Sequence, residues 1–202
     1  MTSLDGLNVS RETTDLLTQF SELVERWTVR INLISKASVD GILERHVADS
    51  AQLFELAPEF EHWVDLGSGG GFPGIVIAII AKEARPEARI TLVESDLRKA
   101  TFLRTAIREL GLNAKVIAER IEELPPLGAD VLSARALADL PALLEFTELH
   151  LAKSGTAIFP KGQNWRKEDE AARQLWSYSL DPVKSKTSAE AAILLIKDVS
   201  RV

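Results

Sequence analysis

The stretch Val64-Asp65-Leu66-Gly67-Ser68-Gly69-Gly70-Gly71-Phe72-Pro73-Gly74 runs straight into the apolar segment Ile75-Val76-Ile77-Ala78-Ile79-Ile80-Ala81. A short strand enters a loop of glycines, and a helix opens at Pro73, where the missing N–H is harmless and the ring presets φ. Glycines let a backbone pass close to a ligand, and a helix start aims unpaired N–H groups at it. The stretch predicts the nucleotide-binding turn of a Rossmann-like domain and leaves open which nucleotide it holds.

The flanking sequence sets the architecture. Leu16, Phe20, Leu23, Val24, Trp27 and Ile31 recur at helical spacing, with Ser10 placed to cap the start. A second amphipathic stretch, 39–56, gathers Ile42, Leu43, His46, Val47, Ser50, Leu53 and Phe54 on one side. These segments read as a helical lid over residues 1–58, packed on one compact unit from 59 to 202. A length of 202 residues suits one α/β domain with a small extension, at roughly 150 residues per domain. From His62 onward, strands at 63–66, 90–93, 115–118, 129–133 and 155–159 alternate with helices. The first helix runs from Pro73 to about Lys82. The second, capped by Ser95, turns Leu97, Phe102, Leu103, Ile107 and Leu110 inward and closes at Gly111; a third covers 138–150. A helix within 161–174 and an antiparallel pair at 175–180 and 192–196 complete the pattern. This order predicts an α/β fold with a mainly parallel seven-stranded sheet, an antiparallel C-terminal strand pair and an N-terminal helical extension. Ligands of such sheets bind beyond the carboxyl ends of the strands, where the winding reverses. The glycine loop, Glu94, the segment after strand three and Ser133-Ala134-Arg135 converge there.

Several chemistries are excluded by what is missing. The chain has no cysteine, which removes disulfides, cysteine-ligated zinc and thiolate nucleophiles. His46, His62 and His150 show no metal-ligand spacing, so no metal is expected. The longest apolar run, 75–81, falls far short of the ~20 residues that span a bilayer. Residues 1–10 are polar and acidic, unlike a signal peptide, so a cytoplasmic protein with no membrane partner is expected. A net charge of −6 argues against tight, indiscriminate binding to naked nucleic acid.

The loop has two registers. Gly69-x-Gly71-x-x-Gly74 fits a dinucleotide fingerprint, yet Gly69 follows the strand only after Leu66-Gly67-Ser68, and Asp65 at the strand end would repel a pyrophosphate. Asp65-x-Gly67-x-Gly69-x-Gly71 suits a cationic ligand without phosphate, such as S-adenosylmethionine. Asp65 can reach its ammonium, directly or through water, and Glu94 offers two acceptor oxygens to its ribose hydroxyls.

Read together, Asn32-Leu33-Ile34-Ser35, Arg45-His46 with Asp49-Ser50, the loop through Phe72-Pro73-Gly74, Phe102-Leu103, Arg120-Ile121-Glu122-Glu123, Ser133-Ala134-Arg135-Ala136 and Lys161-Gly162 carry a family likeness over residues 27–196. The chain resembles the class I S-adenosylmethionine-dependent methyltransferases, and within them the bacterial small-subunit ribosomal RNA (guanine-N7) methyltransferase G family. It departs from the family's usual alanine or proline at Gly70, and from its usual Leu-Thr-Ser at Leu33-Ile34-Ser35. The resemblance implies S-adenosylmethionine as methyl donor and S-adenosylhomocysteine as product. It carries cofactor contacts onto Gly67, Phe72, Ile121, Glu122 and Arg135, beside Asp65, Gly69, Gly71 and Glu94 from the reading above. The implied acceptor is N7 of a guanine in 16S rRNA, with Asn32, Arg45, His46, Asp49, Arg120 and Lys161 as substrate contacts.

Guanine N7 has a lone pair and no proton to lose, so alignment at ~3–3.5 Å suffices and no general base is expected. Carbonyls or carboxylates nearby would stabilise the ring as it becomes cationic. Pyrimidine C5 methylation in its usual form needs a cysteine. Amino-group methylation usually needs an Asn/Asp-Pro-Pro-aromatic loop, where this chain has Ser133-Ala134-Arg135-Ala136. Basic residues gather at Arg26, Arg30, Lys36 and Arg45, at Arg98, Lys99, Arg104 and Arg108, and at Lys161, Arg166, Lys167 and Arg173. Local clusters on an acidic chain suit recognition of a small-subunit particle or precursor; a monomer is expected. The alternatives are a class I methyltransferase acting on another RNA or small molecule, a nicotinamide-dependent oxidoreductase, and a non-catalytic ribosome-binding module.

Overall fold

A computed structural model describes residues 9–34 and 46–202. Its centre is β1 (His62–Leu66), buried along its whole length, as expected of a parallel strand covered by helices on both faces. β2 (Arg89–Val93) and β4 (Ala129–Ala134) flank β1, both parallel to it. β3 (Ala114–Ile117) lies beyond β2, and β5 (Leu151–Lys161) beyond β4. β7 (Ala192–Arg201) runs antiparallel to β5, and β6 (Trp176–Lys184) closes the edge. The order β3-β2-β1-β4-β5-β7-β6 reverses its winding between β1 and β4, which opens a crevice at the carboxyl ends of these two strands.

Alternation along β1 sends Trp63 to one core and Val64 to the other. On the Trp63 side lie α1 (Arg11–Thr28), α2 (Ala48–Leu56), α3 (Gly74–Ala84) and α4 (Leu97–Leu110). On the Val64 side lie α5 (Leu140–His150) and α6 (Trp165–Ala172). α1 is part of the core: Leu17, Phe20 and Val24 are fully buried. Ser10 caps it as expected, its Oγ accepting from Thr13 N, and the Ser10 and Thr13 hydroxyls donate to Glu83 on α3.

Three local expectations are corrected. Asp96, not Ser95, caps α4: its Oδ1 accepts from Arg98 N at 2.8 Å and Lys99 N at 3.2 Å. Leu97, as the first residue of that helix, projects outward and is 67% exposed, so the inward set begins at Ala100. The C-terminal strands outrun their apolar stretches, because β7 beyond Ile196 pairs with β6 alone and needs no buried face. The part of the predicted 39–56 helix that is described comprises a π turn at 46–47 followed by α2; Lys36 and Arg45 lie outside the described residues.

Candidate functional site

The glycine loop leaves β1 with Gly67, Gly69 and Gly71 at φ of 64°, 53° and 87°, a region that side chains rarely adopt. Their surroundings differ. A Cβ on Gly67 would meet Leu137 Cδ1 at 2.7 Å, whereas one on Gly71 would stand 2.8 Å from Ile75 Cγ1 and 2.9 Å from Phe20 Cζ. Gly67 therefore faces the crevice and Gly71 faces the core. Gly74 opens α3 against Asp65 and Leu92.

Asp65 is fully buried. Its Oδ1 accepts from Ser133 Oγ at 2.7 Å, and its Oδ2 from Gly74 N at 3.2 Å. Ser133 Oγ accepts in turn from Trp63 Nε1 at 2.8 Å. Burial pushes the Asp65 carboxyl up to about 6, against the opposing hydrogen bonds and the charge of Arg135. This chain of bonds fixes the loop to β1 and β4.

Two cavities open at the crevice. The first, about 450 Å³, is lined by Gly67, Gly69, Glu94, Lys99, Arg120, Ile121, Glu122, Leu137 and Phe146 among others. Glu94 ends β2 with its carboxylate buried, Oε2 accepting from Gly69 N at 2.9 Å and Oε1 from Asp96 N at 2.7 Å. Each oxygen keeps a second lone pair for a ligand hydroxyl. Val93, Ile121, Leu137 and Phe146 give the same cavity apolar walls.

The second cavity, about 520 Å³, is lined by Asp49, Arg135, Lys161, Glu168, Thr187 and Ile193 among others. It shares Ala136, Leu137 and Ala138 with the first. Arg135 lies with its guanidinium 5.1 Å over the Phe72 ring and donates to His46 Nδ1 at 2.8 Å. Burial works against its charge, and the carboxylates of Asp49 and Asp65 work for it. Asp49 accepts from Thr187 and Gln52, yet desolvation raises its pKa on balance.

The first cavity thus collects Gly67, Gly69, Glu94, Ile121 and Glu122, and adds Arg120, which was expected among RNA contacts. It does not collect Asp65, Gly71, Phe72 or Arg135. Asp65 binds the loop from beneath, Gly71 and Phe72 pack against Phe20, and Arg135 turns toward the second cavity. His46, Asp49 and Lys161 gather around Arg135; Asn32 is exposed and lines neither space. Lys161, expected among the substrate contacts, is not free at the surface. Its side chain is 9% exposed, bonded to Glu168 at 2.7 Å and to Ala138 O at 2.8 Å, because Glu168 on α6 folds over the end of β5. Leu137, Phe146, Glu168 and Thr187 were not singled out from the sequence; only Phe146, as an apolar position on a helix, carries a local signal.

Solved structures of similar shape include a putative O-methyltransferase from Klebsiella pneumoniae, at TM-score 0.62 and 14% identity, covering 96% of this chain and 94% of that one. A TehB-like SAM-dependent methyltransferase from Corynebacterium glutamicum aligns at TM-score 0.59 and 12% identity, covering 90% and 99%. The fold, with its crevice at the β1/β4 switch point, is that of the class I methyltransferases. A family profile described as rRNA small subunit methyltransferase G matches residues 13–194. Curated relatives named ribosomal RNA small subunit methyltransferase G include one from a Ruegeria species, 54% identical over 97% of this chain and 96% of its own length. Another, from Cereibacter sphaeroides, is 53% identical over 98% and 97%. The chain belongs to the ribosomal RNA small subunit methyltransferase G family.

Proposed function

We propose that this protein transfers a methyl group from S-adenosylmethionine to N7 of a guanine in 16S rRNA. The observation that carries the reading is the wall Ala136–Leu137–Ala138 shared by two cavities of different character. The residues of the first fit the donor. Glu94 presents spare lone pairs for ribose hydroxyls, Ile121 and Leu137 offer apolar faces to adenine, and Gly67 and Gly69 allow close backbone approach. The Gly69 N–H that would cradle a pyrophosphate is already bonded to the Glu94 carboxylate, which disfavours a dinucleotide.

When bound, S-adenosylmethionine supplies an electrophilic methyl group. The chain's own residues orient and exclude water. The Asp65–Ser133–Trp63 chain holds the loop, and the Lys161–Glu168 pair, through Ala138 O, holds the shared wall. Guanine N7 surrenders no proton, so no base is required, and the Asp49 carboxylate offsets charge that develops on the ring. The approach to α2 and its first turn serve as the rim of the acceptor mouth through His46 and Asp49, and Asn32, Arg45 and Arg120 extend the RNA contact. The protein acts as a cytoplasmic monomer on a small-subunit particle or precursor.

Methyl-labelled S-adenosylmethionine, presented with small subunits from cells lacking the protein, tests this. Label should enter one guanine, mapped by N7-directed strand scission, and deproteinised RNA should be labelled far more slowly. Equal labelling of both, or label in another base, would overturn the corresponding part.

A further inference from the structure

We infer that His150 is a positioning residue for the donor's adenine, acting through the backbone of Ile121. The inference rests on the reading of the Glu94 cavity as the donor site. Helix α5 presents Phe146 to that cavity, and one turn later, on the same face, His150 is fully buried. Its Nε2 lies 3.1 Å from Ile121 O. A carbonyl only accepts, so Nε2 carries the proton. Nδ1 has no hydrogen-bond partner among the described residues.

Ile121 opens the 3-10 turn Ile121–Glu123, on which Ile121 and Glu122 reach the cavity. Within itself the turn is held weakly, by Glu123 N to Arg120 O at 3.2 Å and Leu124 N to Ile121 O at 3.3 Å. Arg120, Glu122 and Glu123 around it are exposed. Ile121 and Leu124 anchor the turn by apolar packing in the α5 core, and the His150 bond adds the directional tie from its backbone to that helix. A leucine at position 150 would fill apolar space without burying a bare ring nitrogen, which is itself costly. What histidine adds there is the directed N–H.

Calorimetric titration of the full chain with S-adenosylmethionine tests the role in His150→Phe, His150→Gln and His150→Asn. Phe keeps a ring without a donor, Gln carries an amide N–H to about the reach of Nε2, and Asn carries the same amide short of it. Loss of one buried hydrogen bond predicts donor affinity about tenfold weaker in Phe and Asn, with Gln within about threefold of the parent. At saturating donor, kcat and the KM for small subunits should stay within about twofold. If Phe does not fold, the Gln-against-Asn difference decides. Parental donor affinity in folded Phe or Asn overturns the inference, as does Gln no better than Asn, or a fall in kcat with donor KM unchanged. A parent that binds no S-adenosylmethionine overturns the donor-site reading and this inference with it; a parent that binds alongside unaffected variants removes this inference alone.

Discussion

A single methyl group added at Gly71 or at Gly67 should produce opposite phenotypes, although the two glycines sit four residues apart in one loop. Both have positive φ, so alanine costs each about 1–2 kcal/mol of backbone strain. At Gly71 the new Cβ would lie 2.8 Å from Ile75 Cγ1 and 2.9 Å from Phe20 Cζ, and both side chains are fully buried with nowhere to move. Overpacking adds about 1–3 kcal/mol, for a total of about 2–5 kcal/mol. That total lowers the melting temperature by roughly 4–20 °C in a chain of this size. At Gly67 the clash is with Leu137 Cδ1 at 2.7 Å, the side of a half-exposed leucine that can rotate. Stability then falls by only the strain of about 1–2 kcal/mol. The displaced leucine enters the donor cavity, and S-adenosylmethionine binding weakens by at least about tenfold, the equivalent of one misplaced apolar contact or hydrogen bond. Thermal unfolding followed by tryptophan fluorescence, paired with titration calorimetry, separates the two. Gly71→Ala with the parental melting temperature, or Gly67→Ala with parental donor affinity, would refute the assignment of these glycines to core and cavity.

Other outcomes follow from the same geometry. The Asp65 carboxyl sits at about 6 in the fold against 3.8 when unperturbed; between these values the folded state holds the extra proton, so stability should fall by about 3 kcal/mol as pH rises through the window. Urea midpoints from pH 4 to 7 should show a downward step in the parent that Asp65→Asn lacks, and parallel curves would contradict it. Trp63→Phe removes the donor to Ser133 Oγ and should cost about 1–2 kcal/mol, and its combination with Ser133→Ala should cost less than the sum, measured by chemical unfolding. Lys161→Met leaves Glu168 and Ala138 O without their cation and should destabilise by about 1–3 kcal/mol. The salt dependence of RNA binding should stay unchanged in that variant; a slope reduced by about one would restore Lys161 as a phosphate contact.

Local chemistry made the lining of the first cavity readable. Gly67, Gly69 and Glu94 are fixed by a turn and a strand end, and an acid at the tip of β2 has few places to go. Asp65 was correctly placed at the strand end, but its orientation depended on Ser133, a residue 68 positions away. The second cavity resisted for the same reason. Lys161 looks exposed until α6 brings Glu168 back to it, and Thr187 reaches Asp49 from the β6–β7 hairpin, 138 positions along the chain. No periodicity encodes contacts of that span. Ser95 and Asp96 are both competent caps, and the choice between them is made by Glu94, which takes the Asp96 N–H.

The bonds between α2 and the β6–β7 hairpin, Lys186 N to Gln52 Oε1 at 2.7 Å and Thr187 to Asp49, bear on which parts of the chain each cavity depends on. Every residue lining the first cavity precedes position 147, whereas the second is completed by Ser185, Thr187, Ser188 and Ala191–Ile193. The lining of the first cavity comes from one stretch of chain, while the second takes α2 and the hairpin together. Cutting the hairpin would therefore open the second cavity while leaving every lining residue of the first in place, so one incision separates the two.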